Sequence, residues 1–373
     1  MIIGLIAFLF SAIGTWSAMH YYVYKNLASV GINKPFLIGL LWVFALLVPL
    51  SRFLTLRWRN SLVSFIHWVS MVWIGSVFLF SFWLLVSSVL RSGIYSFGFG
   101  GKIDPVQWIS VTALAVLSMI LWAAYQVFNG PKNVPFDLDR SPRYQKNLKR
   151  RFVQISDVHL GLTLGTAFLE SLVKKINSLE PDMIFVTGDF LDPEFPDDEN
   201  AIQILKKLQS KEGVFAVSGN HDFYSGLKRF QTLMERSGIQ VLNNETKITS
   251  SGIQICGIHD QSANRFPAAG VACDLVKALD GIDSSKPSIL LAHQPKKLQP
   301  AIHKRVDLVL SGHTHAGQIF PFNAIVRLAF KYLGGLYRLG PDTDLIVCTG
   351  TGFWGPPMRL GTDSQIVVVD FKF

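Results

Sequence analysis

The chain has few cysteines and few charged residues. Its 373 residues include three cysteines, Cys256, Cys273 and Cys348, and no two of them form a CxxC pair. This spacing excludes a zinc site built from cysteines and gives no disulfide framework. Only 16% of the residues are charged and 49% are hydrophobic, whereas soluble domains average about 25% charged residues. The composition therefore argues against a purely soluble protein and excludes a disordered one.

The excess of positive charge is confined to the first part of the chain. The formal net charge is +9, but residues 152–373 carry 21 basic and 23 acidic side chains. This C-terminal part has the charge balance of an ordinary, slightly acidic globular domain. Its charge balance gives no sign of the basic surface that is typical of nucleic-acid-binding proteins, so we expect no nucleic-acid partner.

Long apolar stretches fill the first 128 residues. A helix needs about 20 apolar residues to cross a bilayer, and the second stretch reaches that length only if Arg52 snorkels or if Phe53 and Leu54 extend the helix. The alternative is a buried core helix, but no polar face interrupts three of the four runs. No basic residue precedes the first run, so we expect it to be retained rather than cleaved as a signal peptide. The stretches are 2–22, 35–51, 62–90 and 106–127.

The apolar stretches predict three parts: a transmembrane region (1–128), a basic linker (129–150) and a C-terminal domain (151–373). The linker is either a solvated connector or a patch drawn to anionic lipids. With an inside N-terminus, ten Lys and Arg residues flank the cytoplasmic ends of the helices and four flank the outer ends. Because basic residues favour the cytoplasmic side, we expect a multi-pass inner (plasma) membrane protein whose C-terminal domain is cytoplasmic. The bilayer is its expected partner.

Five short apolar runs in the C-terminal domain each end in polar residues. The runs alternate with helical patterns, which predicts βαβ units, and ligands bind at the carboxyl ends of the strands in such sheets. The polar residues supply carboxylate, imidazole and amide groups but no thiolate, which suits Mn, Fe or Zn. The runs are 152–155, 183–187, 214–218, 288–291 and 307–311, and the helical patterns are 168–179, 199–208 and 227–236.

Seven residues at these strand ends are candidate metal ligands. A polar cluster after a single strand is commonly just a polar loop. Five such clusters, each at the end of its own predicted strand, argue against that alternative. Asp157 lies two positions before His159, and His313 lies two positions before His315. The two side chains of each pair are therefore expected to point to the same face of an extended segment. Seven ligands exceed the need of one tetrahedral ion and suggest two ions that share a carboxylate. The candidates are Asp157, His159, Asp189, Asn220, His293, His313 and His315.

The ordered motifs DVH, GD, GNHD, H and GHTH resemble those of the calcineurin-like metallophosphoesterase superfamily, over nearly all of residues 151–373. The resemblance implies an α/β fold, a four-layer sandwich of two sheets flanked by helices, placed after the four-helix transmembrane region. It also implies two divalent metal ions bridged by Asp189. One ion would be held by Asp157, His159 and His315, and the other by Asn220, His293 and His313.

Two metal ions would activate a hydroxide for in-line attack on phosphorus, so no protein nucleophile is needed. We expect His221 to protonate the leaving oxygen and Asp222 to orient His221. His259 and His303 lack a comparable context and are interpreted as structural or surface residues.

Residues 312–321 (GHTHAGQIFP) and 350–361 (GTGFWGPPMRLG) resemble the membrane-associated phosphodiesterase branch of that superfamily. Some relatives in this branch hydrolyse UDP-2,3-diacylglucosamine, a precursor of lipid A. The resemblance therefore implies hydrolysis of a phosphodiester or pyrophosphate in a lipid or nucleotide-sugar-lipid substrate. One alternative is a phosphatase or nucleotide phosphodiesterase that acts on soluble substrates. Another is a membrane scaffold with a vestigial metal site, against which the complete ligand set argues.

Residues 319–339 are strongly apolar, with Arg327, Lys331 and Arg338 interspersed. Ile325 and Leu328 fall at helical spacing. The segment is either a helix that packs into the core or an interfacial amphipathic segment with its apolar face towards lipid.

Overall fold

The N-terminal region forms four long helices. The computed structural model describes residues 2–58, 60–98, 104–144 and 148–373, with side chains from residue 10 onward. Met1 and three basic residues that entered the orientation prediction, Arg59, Lys102 and Lys146, lie outside the described residues. The helices are α1 (Ile2–Ala28), α2 (Lys34–Arg57), α3 (Ser61–Ser96) and α4 (Pro105–Phe128).

Three of these helices, α2, α3 and α4, are long and apolar enough to cross a membrane, judged over the described residues. The helix α1 is not among the three, so its crossing of the membrane stays a prediction. The helix α2 begins after Asn33, whose side chain accepts the Phe36 amide, and continues to Arg57. The predicted extension beyond residue 51 is therefore present, and its 24 residues suffice for a span.

Polar side chains connect the helices of this region. The Trp73 indole on α3 donates to His20 Nε2 on α1 over 2.9 Å, and the hydroxyls of Ser51 and Ser70 lie 2.9 Å apart between α2 and α3. Paired polar groups of this kind hold helices together in an apolar environment. The chain divides into two units, Met1–Tyr125 with Gly355–Met358, and Gln126–Trp354 with Arg359–Phe373.

The second unit contains two six-stranded sheets. The strand order is β1-β12-β2-β3-β4-β5 in the first sheet and β10-β11-β9-β8-β7-β6 in the second. The strands are β1 (Lys132–Asp139), β2 (Lys149–Ile155), β3 (Met183–Thr187), β4 (Val214–Val217), β5 (Gln240–Val241), β6 (Glu245–Ile248), β7 (Gln254–Gly257), β8 (Ser288–Leu291), β9 (Leu308–Ser311), β10 (Gly335–Arg338), β11 (Asp344–Val347) and β12 (Gln365–Lys372).

Parallel pairing brings the ends of the strands together. In the first sheet β2, β3, β4 and β5 run parallel, and in the second sheet β7, β8, β9 and β11 run parallel. The five predicted strands are therefore all present, each within three residues of its predicted ends. The shorter helices are α5 (Ser141–Tyr144), α6 (Thr166–Asn177), α7 (Asp198–Leu205), α8 (Asn220–Tyr224), α9 (Leu227–Arg236), α10 (Leu275–Ala278), α11 (Gln299–His303) and α12 (Phe322–Ala329).

Apolar packing arranges these elements in layers. Side chains of both sheets share one core, which includes Phe152 from the first sheet and Ile289 from the second. The other face of the first sheet packs against Leu172 of α6 and Ile202 of α7, and that of the second sheet against Ala301 of α11. The order helix, sheet, sheet, helix confirms the predicted four-layer sandwich.

The predicted linker is wrong for residues 132–139, which form β1. This strand lies at the edge of the first sheet and pairs in parallel with β12 along its whole length. Its prolines and basic residues are typical of a connector, but Pro135 is tolerated because an edge strand leaves one row of backbone groups unpaired. Residues 145–147 of the predicted linker lie outside the described residues.

Candidate metal centre

The seven predicted ligands lie close together at the carboxyl ends of parallel strands from both sheets. Five of them, Asp157, His159, Asp189, His293 and His315, are buried, and the side chains of the other two are partly exposed. Buried charged and imidazole groups in one place are typical of a metal or catalytic site. The ligands follow β2 (Asp157, His159), β3 (Asp189), β4 (Asn220), β8 (His293) and β9 (His313, His315).

One group of donors consists of Asp157, His159 and His315. The Nε2 atom of His315 lies 3.4 Å from Asp157 Oδ1 and 3.2 Å from His159 Nε2. One donor atom from each residue lies within 4.8 Å of the others. The three side chains therefore converge on a common point.

A second group consists of Asp189, His293 and His313, whose donor atoms also lie within 4.8 Å of one another. The Nε2 atom of His293 is 3.2 Å from Asp189 Oδ2 and 3.1 Å from His313 Nδ1. Asn220 joins this group, because its Oδ1 atom is 3.3 Å from the same His293 nitrogen.

Asp189 lies between the two groups. Its Oδ2 atom is 3.2 Å from His293 Nε2 in the second group and 3.9 Å from His159 Nε2 in the first. The other carboxylate oxygen, Oδ1, accepts the backbone N–H of His221 over 2.7 Å. One oxygen thus faces donors from both groups, which is the position that a shared carboxylate ligand requires.

The backbone that presents these ligands is not extended, contrary to the prediction. Asp157 and His159 have φ of 52° and 50°, and His313 and His315 have φ of 71° and 47°. Left-handed backbone costs about 1–2 kcal/mol per non-glycine residue, and such strain clusters at functional sites. Asp157 and His159 do share a group, but His313 and His315 are directed to different groups.

Glycines permit the close approach of these segments. Gly188 has φ of 88°, and a Cβ there would lie 2.6 Å from His293 Nδ1. A Cβ on Gly219 would collide with Oδ1 and the backbone nitrogen of Asp189. The glycines before Asp189 and Asn220 therefore allow the ligand segments to lie this close together.

We expect Gly219→Ala to displace the Asp189 carboxylate and to impair the metal centre. The backbone angles of Gly219, φ −104° and ψ −178°, suit alanine, so the expected cost of about 1–3 kcal/mol comes from overpacking. Thermal unfolding and metal content measure the effect. Gly165→Ala, where nothing lies within 4 Å of the added Cβ, is the matched control. Wild-type metal content in Gly219→Ala would contradict the expectation.

Hydrogen bonds orient two of the imidazoles. The Nδ1 atom of His293 lies 2.8 Å from the Thr187 carbonyl oxygen, and that of His159 lies 3.0 Å from Asp192 Oδ1. A carbonyl and a carboxylate oxygen can only accept, so both Nδ1 atoms carry hydrogen. In the neutral form of each ring, Nε2 then has a lone pair that faces the donor group, which is the usual arrangement of metal-binding histidines.

Burial and neighbouring charges shift the pKa values of the paired imidazoles in opposite directions. Burial alone would lower the pKa of His159, but Asp192 and neighbouring carboxylates raise it to about 9. Burial and His159 lower the pKa of His315 well below its usual value. Likewise, the pKa of His293 is raised by Asp189 against burial, while burial and His293 lower that of His313 to about 3. The oxygen and imidazole groups that face each of the two points match a divalent metal.

Known proteins with similar sequences are metallophosphoesterases, as the grouped metal-ligand candidates lead one to expect. Residues 150–317 match the calcineurin-like phosphoesterase family. An uncharacterised metallophosphoesterase of Helicobacter pylori is 38% identical over 256 residues, which cover 68% of this chain and 67% of the relative. The chain belongs to the calcineurin-like phosphoesterase family. It is a phosphoester hydrolase with candidate ligands for divalent metal.

Two further relatives resemble this metallophosphoesterase. An uncharacterised metallophosphoesterase of Campylobacter jejuni is 35% identical over 280 residues, which cover 73% of each chain. A transmembrane protein with a metallophosphoesterase domain from Bos taurus is 35% identical over 284 residues, which cover 71% of this chain and 64% of the relative.

Asp222 does not orient His221, contrary to the prediction. It is fully buried, and its Oδ1 atom accepts the backbone N–H groups of Phe190 and Leu191, each over 3.0 Å. Its Oδ2 atom accepts the Gly219 N–H over 2.8 Å. Burial and the nearby Asp189 raise the pKa of Asp222 to about 7. Asp222 thus fastens the loops that carry the ligands, and sequence adjacency to His221 was a misleading signal.

Asp192 occupies the position that was predicted for Asp222. Its Oδ1 atom accepts Nδ1–H from both His159, over 3.0 Å, and His221, over 2.8 Å. Burial alone would raise the pKa of Asp192, but the charges and hydrogen bonds of these two histidines lower it. The available sequence signal was an acidic residue three positions after Asp189 in the same loop.

His221 lies at the edge of the centre. Its side chain is 15% exposed, and its ring centroid is 4.6 Å from that of His159 and 5.8 Å from that of Trp354. Because Nδ1 is bound to Asp192, Nε2 is the nitrogen that a substrate can reach. Among the described residues no hydrogen bond engages Nε2.

Two other residues near the centre were missed from the sequence. Gln318 holds the backbone of Trp354, because its side-chain amide donates to the Trp354 carbonyl and accepts the Trp354 N–H, both over 2.9 Å. Arg359 is fully buried, donates to the Gly352 carbonyl over 2.7 Å and lies 3.4 Å from His315 Nδ1. Both belong to the two stretches that resemble the membrane-associated branch, but nothing in their spacing indicates these contacts.

The other two histidines of the C-terminal domain lie outside the donor groups that contain Asp157 and Asp189. His259 is buried, its Nδ1 atom is 3.4 Å from the Ser218 hydroxyl, and burial lowers its pKa. His303 is the last residue of α11 and is exposed. Their interpretation as structural and surface residues agrees with these positions.

Proposed function

We propose that the chain is a membrane-anchored phosphodiesterase that uses two divalent metal ions to hydrolyse a phosphodiester or pyrophosphate. The observation that carries the proposal is the position of Asp189 Oδ2, which faces nitrogen donors of both ligand groups at 3.2 and 3.9 Å. Residues 1–128 would anchor the enzyme in the membrane. Mn, Fe and Zn all suit the donor set.

The chain's own residues would divide the work of the reaction. Asp157, His159 and His315 would hold one ion, and Asn220, His293 and His313 the other, with Asp189 contacting both. When bound, the two ions would acidify a water molecule and neutralise charge on the phosphoryl group. His221 Nε2 would donate a proton to the leaving oxygen, and Asp192 would hold the ring in position through Nδ1.

A lipid-linked substrate such as UDP-2,3-diacylglucosamine is supported by the two branch-typical stretches and by the apolar N-terminal helices. A soluble nucleotide or phosphomonoester is the alternative. The test is a screen of the purified full-length protein with Mn²⁺ on bis-p-nitrophenyl phosphate, p-nitrophenyl phosphate and UDP-2,3-diacylglucosamine. We expect hydrolysis of the diester and the lipid, loss of activity on chelation and recovery with added metal. Failure with every substrate and with Mn²⁺, Fe²⁺ and Zn²⁺ would overturn the proposal, and it would favour a scaffold with a vestigial site.

We further propose that the enzyme lies in the inner (plasma) membrane with its catalytic unit in the cytoplasm. The support is the ten-to-four distribution of Lys and Arg between the two sides. A green fluorescent protein fused after Phe373 is expected to fluoresce, and a matched alkaline phosphatase fusion is expected to be inactive. The reverse pair of results would place the catalytic unit outside the cytoplasm.

A further inference from the structure

An exposed apolar surface borders the metal centre. The helix α12 (Phe322–Ala329) contains no buried residue, and Ile325 and Leu328 are 57% and 89% exposed. We infer that α12 inserts into the interface of a lipid bilayer and holds the metal centre over a phosphoester carried by a membrane lipid. This inference rests on the proposed phosphodiesterase activity and specifies its substrate class.

The outward side of α12 is apolar, which is not expected for a helix on the surface of a soluble domain. Asn323, Val326 and Phe330 are the residues of this segment that are partly covered by the rest of the protein, and they lie on one side of the helix. Ile325 and Leu328 lie on the opposite side, given 3.6 residues per turn. A surface helix normally turns its apolar stripe to the core and its polar residues to solvent. Here Val326 and Phe330 face the protein, but the outward side, with Ile325 and Leu328, is apolar as well.

The helix is packed directly against the segment that carries two of the ligands. The ring of Phe330 lies 5.0 Å from the ring of His313. A Cβ on Gly317, two residues after His315, would collide with the Asn323 backbone. A bilayer that contacts α12 would therefore lie close to the donor groups, because α12 packs directly against the segment that carries His313 and His315.

Charge in and around α12 favours a bilayer as the occupant of this surface. No acidic residue occurs between residues 319 and 341, and Arg327 and Lys331 are exposed. Apolar side chains combined with basic residues are typical of segments that lie in the headgroup region of anionic membranes. The apolar helices of the same chain also keep a bilayer at high effective concentration, which favours it over a second protein.

The first test compares two substrates that share a leaving group. Methyl p-nitrophenyl phosphate is soluble, whereas hexadecyl p-nitrophenyl phosphate resides in a membrane. The full-length wild-type enzyme and its Ile325→Asp/Leu328→Asp variant are both assayed in nanodiscs of phosphatidylethanolamine and phosphatidylglycerol. We expect kcat/KM to fall about tenfold or more for the hexadecyl ester, because two apolar contacts with lipid are lost, and to stay unchanged for the methyl ester.

The matched control is Ile248→Asp/Val276→Asp, which alters two other exposed apolar residues (66% and 69%) of the catalytic unit. It is expected to hydrolyse both esters like the wild type. An equal fall for both esters in the α12 variant would overturn the inference, because it would indicate damage to the centre. A wild-type enzyme that hydrolyses neither ester would instead refute the proposed phosphodiesterase.

The second test measures insertion directly. A nitrobenzoxadiazole label is attached to Leu328→Cys in a protein that also carries Cys273→Ser and retains the buried Cys256 and Cys348. The labelled protein is placed in the same nanodiscs, with nitroxide groups on the acyl chains as quenchers. We expect quenching at residue 328 and none for the same label on Val276→Cys. An unquenched label at residue 328 would overturn the inference. So would a dimer, detected by light scattering, that the α12 variant abolishes, because a second copy would then cover this surface.

Discussion

Replacement of Asp189 by alanine is expected to abolish phosphoester hydrolysis and to lower the content of bound metal. Asp189 Oδ2 faces His293 in one donor group and His159 in the other, so its loss removes a ligand from both proposed ion sites. Catalysis that depends on a metal pair would then lose at least about 10³-fold in kcat/KM, or about 4 kcal/mol of transition-state stabilisation. Assays with Mn²⁺ and elemental analysis measure the two effects.

Asp342→Ala is the control for this experiment. Asp342 pairs with Arg305 at the surface, 2.7 Å from its Nε atom, and exposed pairs of this kind contribute about 0–1 kcal/mol. This variant is expected to keep full activity and metal. If Asp189→Ala retained a tenth of wild-type turnover, the assignment of a shared carboxylate would be wrong.

The ligand positions could be predicted because strand ends have a simple chemical signature. Each of the strands β2, β3, β4, β8 and β9 ends in a short, mostly apolar, buried run, and a carboxylate, amide or imidazole follows it within four residues. Parallel strands bring such residues to one edge regardless of the details of the loops. The two-sheet sandwich did not follow from these runs; it came from the resemblance of the ordered motifs.

The roles of side chains within the loops could not be predicted in the same way. Asp222 adjoins His221 in sequence but accepts three backbone N–H groups, and Asp192, 29 residues away from His221, is its actual partner. Asp157 and His315 have positive φ of 52° and 47°, so the backbone there is not extended. Side-chain directions inferred for an extended segment therefore do not apply there.

The same limit explains why β1 was predicted as part of a linker and why two alternatives stayed open for α12. In β1, Val134, Phe136 and Leu138 alternate with other residues as a strand requires, but Pro135 and the flanking basic residues obscured that period. For α12, helical spacing alone does not indicate which face is covered, because the same pattern fits a core helix and an interfacial helix. To choose between these two alternatives one must know that Leu328 is exposed, and this exposure depends on the tertiary structure.

His221→Ala is expected to lower turnover by about 10²–10⁴-fold, the usual contribution of general acid–base catalysis, while both metals stay bound. His221 belongs to neither ligand group that contains Asp189 or Asp157. Its Nδ1 atom is held by Asp192 over 2.8 Å, so its Nε2 atom is available to the leaving oxygen. The imidazoles of His159, His293, His313 and His315 face ligand positions instead, and the exposed His303 supplies a matched control, His303→Ala, which should behave like the wild type.

The leaving group distinguishes proton donation from simple binding of the phosphoryl oxygens. p-Nitrophenolate departs without a proton, whereas an alkyl or sugar alkoxide needs one, so the variant should lose much less activity on p-nitrophenyl esters. Asp192→Asn should reproduce part of this selectivity, because the neutral amide stabilises the protonated ring less well than a carboxylate does. Equal losses for good and poor leaving groups would reassign His221 to binding of the phosphoryl oxygens. A drop in the metal content of the purified His221→Ala protein would instead identify His221 as a metal ligand. His221 forms a third group of possible donors with His159 and Asp192.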